Sequence, residues 1–405
     1  VNVLLISPAY PAEMREFTRG LSEVGARVIG VGDSPAGGLP AETQRHLSAY
    51  VQVANLWDET AVVHQLGDVF RRARIDRVEC LWEPGMMLAA RVREAYGVPG
   101  LNVAQTVPLR DKEEMKQVLD RAGIRTPRHA RARTTGEVWA AAERIGYPLI
   151  VKPIAGAGAT NTYPVGDAGE LERVIPLLRS VDEVSVEEFI EGEELTFDTV
   201  CANGEVFYYN MSWYRPRPLD GKLNEWISPQ AIALRDVEAP ALAGGRRMGF
   251  AVLEALGLEN GFTHMEWYLT ASGEAVFGEI GGRPPGARMV DLMNFSCDFD
   301  IYRGWAEAVC HGRFSQPVRR RYNAAIVFKR AMGQGRIQRI EGLESLLAHY
   351  GQHIALVDLL PVGAMRRNWK QQQISDGFVV VRHPDLDTIL EMADAVGVHL
   401  RLYAQ

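Results

Sequence analysis

The sequence predicts a multidomain chain of the α/β and α+β classes. Three observations carry this. Short apolar strands alternate with helical stretches over the first hundred residues. Two hairpin signals, Asn203-Gly204 and Ser272-Gly273, mark an antiparallel middle. Short strands and helices mix after Arg319-Arg320-Arg321. With 405 residues the chain can form two or three domains with sizeable cores. A hydrophobic fraction of 47% and a charged fraction of 23% are ordinary for a globular protein. The net charge of −7 predicts neither nucleic acid nor an anionic membrane as partner. No apolar run approaches the roughly 20 residues that span a bilayer. The opening VNVLLISPAYP reads as strand and turn, without the flanks of a signal peptide. Cys80, Cys201, Cys297 and Cys310 are scattered without a CxxC pair, which predicts reduced thiols and a cytoplasmic protein.

In chain order, Val3 to Ile6 is an apolar strand, and Glu13 to Val24 has helical spacing closed by Gly25. Arg27 to Val31 and Arg77 to Trp82 are further strands; Thr60 to Ala73 and Met86 to Tyr96 are helices. This rhythm implies a small open parallel sheet. No GxGxxG follows its first strand, so a dinucleotide site is not expected there. Glu83 stands at the carboxyl end of a strand, where open sheets bind ligands, and a plain strand-to-helix turn also accounts for it. Lys112 opens a helix that runs to Arg121, against the macrodipole preference. That reads as an anionic partner or as a solvated lysine. Thr134 to Ile145 is a second helix with its own cap.

Pro148 to Lys152 is a strand ending in lysine, followed by the small-residue run Ala155-Gly156-Ala157-Gly158-Ala159-Thr160. Such a run lets backbone N–H groups approach phosphate oxygens. Without GK[ST] and a following helix it is not a P-loop, and a plain hairpin loop remains open. After a helix from Asp167 to Arg179, Val184 to Ile190 is a buried-looking strand, and Leu195 to Ala202 and Glu205 to Met211 form a hairpin. The acids between are dense; Glu187 can accept from an exocyclic amine and Glu194 from ribose hydroxyls. Residues 212–236 are aromatic and cationic with little periodicity and read as a long loop. Arg215, Arg217 and Lys222 could receive a carboxylate there, and Trp213, Tyr214 and Trp226 could wall a pocket. A helix from Val237 to Leu256 follows, and helices near Ala287 to Met293 and Asp300 to His311 come after the next hairpin.

That hairpin, within 261–288, organises the chain. Phe262 to Leu269 and Ala275 to Ile280 alternate apolar and polar residues about Ser272-Gly273, which sets Glu266 and Glu279 roughly opposite each other. Opposed carboxylates repel by about 4 kcal/mol at 4 Å and an effective dielectric near 20, so a divalent cation or an arginine must compensate. Arg283 follows in a Gly-Gly-Arg-Pro-Pro-Gly loop. Two solvent-facing acids on an edge hairpin account equally well for the hairpin taken alone. Beyond Arg321, strands at 323–329, 336–340, 353–360, 377–382 and 398–403 and helices at 343–349 and 386–395 form a small α+β cap.

Taken in order, Lys112, Lys152 with its small-residue loop, Glu187-Glu188-Phe189-Ile190, Glu194, Glu266, Glu279 and Arg283 resemble the ATP-grasp superfamily, carboxylate–amine ligase type, in its biotin-carboxylase-like branch. The resemblance implies an ATP-grasp fold with an N-terminal open parallel-sheet domain at 1–103. The ATP-grasp domain would span 104–318, with a small subdomain at about 125–190, and a small C-terminal α+β domain 319–405. It implies ATP with Mg²⁺, or Mn²⁺ in its place. Lys112, Lys152 and residues Gly156, Ala157, Gly158 and Ala159 would contact phosphates. Glu187, Glu188, Phe189 and Ile190 would bind adenine, and Glu194 ribose. Glu266 and Glu279 would hold the metal, and Arg283 the transferred phosphate and acyl intermediate. Arg288 is a candidate anchor for a substrate carboxylate, with Arg215 second; Arg217, Trp213, Trp226 and Glu83 are further substrate candidates. The implied activity is an ADP-forming ligase that joins a carboxylate, through an acyl phosphate, to an amine, with amino-acid-like substrates. The alternatives are a bicarbonate or formate acceptor, or a non-catalytic nucleotide-binding protein. Gly281 stands where the family usually has an asparagine ligand, which bears on the second metal. A homodimer is one expectation for the assembly.

Overall fold

The computed structural model describes residues 1–154, 161–179, 181–372 and 374–405. Near the N-terminus, Ala49–Gln52, Arg27–Gly32, Asn2–Ile6 and Arg77–Glu79 pair in that order as a parallel four-stranded sheet. The strands Asn2–Ile6 and Arg27–Gly32 are almost wholly buried, as near-continuous apolar runs in a two-sided parallel sheet must be. This unit does not stand apart. Its helix Met14–Glu23 lies against the helix Ile301–His311 so closely that a Cβ on Gly20 would sit 2.7 Å from the Tyr302 carbonyl oxygen. Phe17 meets Tyr302, Trp305 and Phe262 edge to face, and the three rings share one core with it.

A second sheet orders His129–Ala132, Val184–Glu188, Leu149–Pro153 and Tyr163–Val165, all antiparallel. The helices Thr135–Ile145 and Ala168–Val174 pack on it through Val138, Ala141, Ala142, Ile145, Leu171 and Val174. The helix expected from Asp167 to Arg179 tightens into a 3₁₀ turn at Ile175–Leu178, where Pro176 lacks the N–H that an α-helix would use.

The largest sheet of the described residues has nine antiparallel strands. It runs Ala275–Gly281, Gly261–Leu269, Glu193–Ala202, Ser212–Arg215, Gln230–Ala233, Asn323–Phe328, Gly377–His383 and Ile354–Leu359, with Glu205–Asn210 attached to Glu193–Ala202. Two expectations change here. Residues 212–236 are not a loop: they hold two interior strands and the short helix Pro218–Leu223. Each strand is only four residues long and prolines stand close by, so no period-two run shows; their conformation is fixed by neighbours on both sides. The second concerns the boundary expected at 318–319. Backbone hydrogen bonds between Gln230–Ala233 and Asn323–Phe328 cross it, and Gly377–His383 and Ile354–Leu359 extend the same sheet, while Met332–Gly333, Arg401–Ala404 and Ile337–Glu341 pair as a small sheet of their own. Leu195, Trp267, Val379, Ile389 and Leu402 belong to one core. Residues 319–405 are thus built onto the central sheet. Arg320 is no free connector either, since its guanidinium lies over Tyr208 and Tyr209 and reaches the Tyr209 carbonyl.

The helix expected from Val237 begins at Ala243, after the 3₁₀ turn Pro240–Leu242. It presses on the central hairpin through glycine: a Cβ at Gly245 would sit 2.2 Å from the ring of fully buried Trp267, and one at Gly249 would sit 2.5 Å from Phe197. No described helix is long and apolar enough to cross a membrane. Gly245→Ala should destabilise the protein by about 1–3 kcal/mol, the usual cost of overpacking. Urea-unfolding midpoints would show it, and an unshifted midpoint would mean that the helix can back away from Trp267 without loss.

Candidate active site

The hairpin sets Glu266 and Glu279 directly opposite each other, in the register His264↔Gly281, Met265↔Ile280, Glu266↔Glu279. Both carboxylates are about one-third exposed. The helix Lys112–Arg121 delivers Lys112, whose Nζ lies 3.2 Å from Glu279 Oε1. Asp111 caps that helix by accepting from the N–H groups of Glu113 and Glu114, and is itself gripped by Arg131. This cap fixes where Lys112 emerges. Burial would raise the Glu279 pKa, but Lys112 and Lys152 outweigh it and the carboxyl is held below its ordinary value.

Beneath lies a second ion cluster. Glu187 accepts from Lys116 at 2.7 Å, from Lys152 at 2.9 Å and from the Ser185 hydroxyl at 2.8 Å. Burial would raise its pKa; the two lysines dominate and keep it far below the carboxylate range. A nucleobase amine near Glu187 would therefore meet backbone carbonyls more readily than this occupied carboxylate. Glu113 shares the single Ser185 hydroxyl proton with Glu187 and pairs with His129 Nδ1 at 2.8 Å, and His129 Nε2 reaches Asp120 at 2.9 Å.

On the other side, Arg217 donates to the Ile190 carbonyl at 2.8 Å and lies 3.4 Å from Glu194. Its guanidinium sits 4.9 Å from the Phe189 ring centre and 4.8 Å from that of Tyr268. Burial and the charge of Glu266 push the Glu194 carboxyl up to about 8, against Arg217. Glu188 turns away to Arg125 and Arg128. Gly156, Ala157, Gly158 and Ala159 lie outside the described residues.

Arg283 is held by Glu83, with Nε at 2.9 Å and Nη2 at 2.7 Å from one carboxylate oxygen; the other oxygen pairs with Arg110. Glu83, read as a substrate contact, thus grips two arginines across the junction of two units. Gly282 permits this approach, because a Cβ there would lie 2.8 Å from Leu109 and 3.0 Å from Met86. At Gly281 a Cβ would meet Arg283 at ordinary contact distance, 3.4 and 3.5 Å from its Cγ and Nε.

Other candidates lie elsewhere. Arg288 adopts a left-handed backbone with φ 62° and pairs with Asp291 at 3.2 Å. Arg215 reaches Asp394 and covers Trp213, which donates to Glu193, and Trp226 is 81% exposed. Period-two alternation decides this, since on Ser212–Arg215 it is Tyr214 that faces the Glu266, Asp198 and Glu194 charges. Sequence reasoning named Tyr214 as a pocket wall but missed Lys116, Asp198 and His264. The Lys112/Lys116 spacing of one helical turn was a usable signal, as was Asp198 in the apolar run LTFDTV. His264 Nδ1 pairs with fully buried Asp198 at 2.5 Å, and its Nε2 lies 3.5 Å from Glu266. Among the described residues no three His, Cys, Asp or Glu side chains form a metal cage. Two opposed, part-exposed carboxylates nonetheless fit one face of a magnesium ion whose other ligands are water and phosphate oxygens.

Comparison with known proteins follows from this geometry. Residues 109–212 match the ATP-grasp domain family. The L-arginine-specific L-amino acid ligase of Bacillus subtilis is 26% identical over 267 residues, 62% of this chain and 64% of that protein. D-alanine–D-alanine ligase B of Xanthomonas campestris pv. campestris is 38% identical over 109 residues, 25% of this chain and 34% of that one. These matches span less than two thirds of the relatives' own lengths. Among solved structures, an L-amino acid ligase from Bacillus licheniformis superimposes with a TM-score of 0.79 at 21% identity, covering 100% of this chain and 98% of the other. N5-carboxyaminoimidazole ribonucleotide synthetase from Thermotoga maritima does so at 0.73 and 19%, covering 100% and 99%.

His129 supplies a test of the lower cluster. Burial lowers its pKa, but Glu113 and Asp120 outweigh burial and raise it above 6.5. The folded state then holds this proton more tightly than the unfolded chain. Its stabilisation is complete below pH 6.5 and is lost as pH rises through the raised value. Unfolding free energy should fall over that window, and His129→Phe should flatten the slope in denaturant titrations at several pH values. An equal slope in the variant would remove His129 from the linkage.

Proposed function

We propose that the chain, whose residues 109–212 match the ATP-grasp domain family, is an ADP-forming ATP-grasp ligase joining a carboxylic acid to an amine, with amino-acid-like substrates. The observation that carries this is the hairpin pair Glu266 and Glu279 with Lys112 3.2 Å from Glu279. Acids and cations meeting on partly exposed strands suit a bound nucleotide's terminal phosphates better than they suit a structural core. The relatives' names support the substrate class.

In this reading, adenine lies along the Phe189–Ile190 backbone near Tyr268, and Glu194 takes the ribose hydroxyls. Glu266 and Glu279 hold Mg²⁺, which when bound neutralises the phosphates and polarises the one transferred. Lys112 and Lys152 spread the remaining charge. The acid's carboxylate oxygen attacks the γ-phosphorus, the bond to ADP breaks, and an acyl phosphate forms. An amine then attacks the acyl carbon, phosphate leaves, and the amide remains. Arg283, kept in one orientation by Glu83, donates to the tetrahedral oxyanion. No side-chain nucleophile is needed, and the buried thiols of Cys80, Cys201 and Cys297 take no part.

ADP and phosphate release should require Mg²⁺, an acid and an amine together. Glu279→Ala should lower turnover by about 100-fold or more while the circular dichroism spectrum and melting temperature stay near those of the parent. Normal turnover in that variant would remove the metal assignment. Release that needs bicarbonate or formate and no amine would replace the acceptor. Tight ATP binding without release over a broad panel would mark a non-catalytic protein.

A further inference from the structure

Lys116 is the lysine that the proposed chemistry leaves unused. Its side chain is 1% exposed, its ammonium bonds Glu187 at 2.7 Å and the Lys112 carbonyl at 3.2 Å, and it stands one helical turn after Lys112. A buried ammonium with no route to solvent cannot touch a phosphate in the cleft. Lys152 can, since it shares the same glutamate but keeps 15% of its side chain exposed. Two lysines therefore compete for one carboxylate, and only one of them can reach a ligand.

Counting the neighbours fixes the balance. Glu113, the other buried acid here, has its oxygens taken by the Ser185 hydroxyl and by His129, which also bonds Asp120. Glu187 shares that hydroxyl, and its charged partners are the lysine pair. If Glu187 had only Lys152, the two would form a neutral couple and the strand Leu149–Pro153 would present almost no net charge to an anion. With Lys116 beneath, Glu187 is neutralised from inside, and the charge of the outward lysine is left to face the cleft, where Glu279 and Glu266 also stand.

We propose that Lys116 is a positioning residue for nucleotide binding: by neutralising Glu187 within the core, it leaves the charge of Lys152 available to the phosphates. This rests on the nucleotide reading above. Burial lowers the Lys116 pKa, while for Lys152 Glu187 and Glu279 outweigh burial and raise it. Both directions accord with an inner ammonium held only by its acid and an outer one that keeps its proton readily.

The test compares ADP, with saturating Mg²⁺, against adenosine, which lacks phosphates, by calorimetry on the full chain. Lys116→Met should weaken ADP by about tenfold or more and leave adenosine within about threefold, the scale of one unit charge a few ångströms away at an effective dielectric near 20. Lys116→Met combined with Glu187→Gln removes both buried charges and keeps the surplus on Lys152, so ADP affinity should return to within about threefold of the parent. That double variant also decides the matter should the single one not fold. Unchanged ADP affinity in Lys116→Met overturns the inference, as does equal weakening of ADP and adenosine, or a double variant as weak as the single one. A parent chain that binds neither ligand overturns the nucleotide reading itself.

Discussion

Two carboxylates facing each other on neighbouring strands are a standing repulsion, and the charge layout of this protein is arranged around it. Glu266 and Glu279 share a register, and nearby cations offset their repulsion. Lys112 arrives from a helix of its own and Lys152 from a second sheet, while Glu83 brings Arg283 and Arg110 together from a third direction. Lys112, Lys152 and Glu83 are remote in sequence from the hairpin, whereas Arg283 follows it directly. The site is therefore a junction among the sheets.

Packing makes that junction rigid. Gly245 and Gly249 let a helix press on Trp267 and Phe197 directly behind the glutamates, and Gly282 lets the N-terminal unit close on the loop that carries Arg283. Small residues here mark where backbones must come near, and they limit how far the acids and the arginine can drift apart. The same economy appears in the continuous sheet. Asn323–Phe328 joins Gln230–Ala233, so the C-terminal stretch stiffens the strands behind the site.

Below the surface, charge is balanced in depth. Glu187 joins Lys116 and Lys152, and Glu113 joins His129. A buried acid with one partner contributes little to stability, whereas removing a partner leaves an uncompensated charge. Layering two bases on one acid gives a different result, namely a fixed excess of one sign at a chosen depth. Glu194 shows the opposite case: beside Glu266 and out of water, its carboxyl is pushed up to about 8.

Much of this was legible along the chain. The opposition of Glu266 and Glu279 follows from a turn at Ser272-Gly273 and a period of two, both local properties of the backbone. The parallel N-terminal sheet followed from apolar runs. Tertiary structure decided the rest. Four-residue strands at 212–215 and 230–233 carry too few residues to show a period, so only their neighbours made them strands and turned Tyr214, in place of Trp213 or Arg215, toward the acids. Which carboxylate Lys116, Arg110 or Arg283 would find could not be read from spacing, because those partners are separated by 71, 27 and 200 residues. Local stereochemistry fixes which way a side chain leaves its own strand or helix; what it meets depends on how the sheets close on one another.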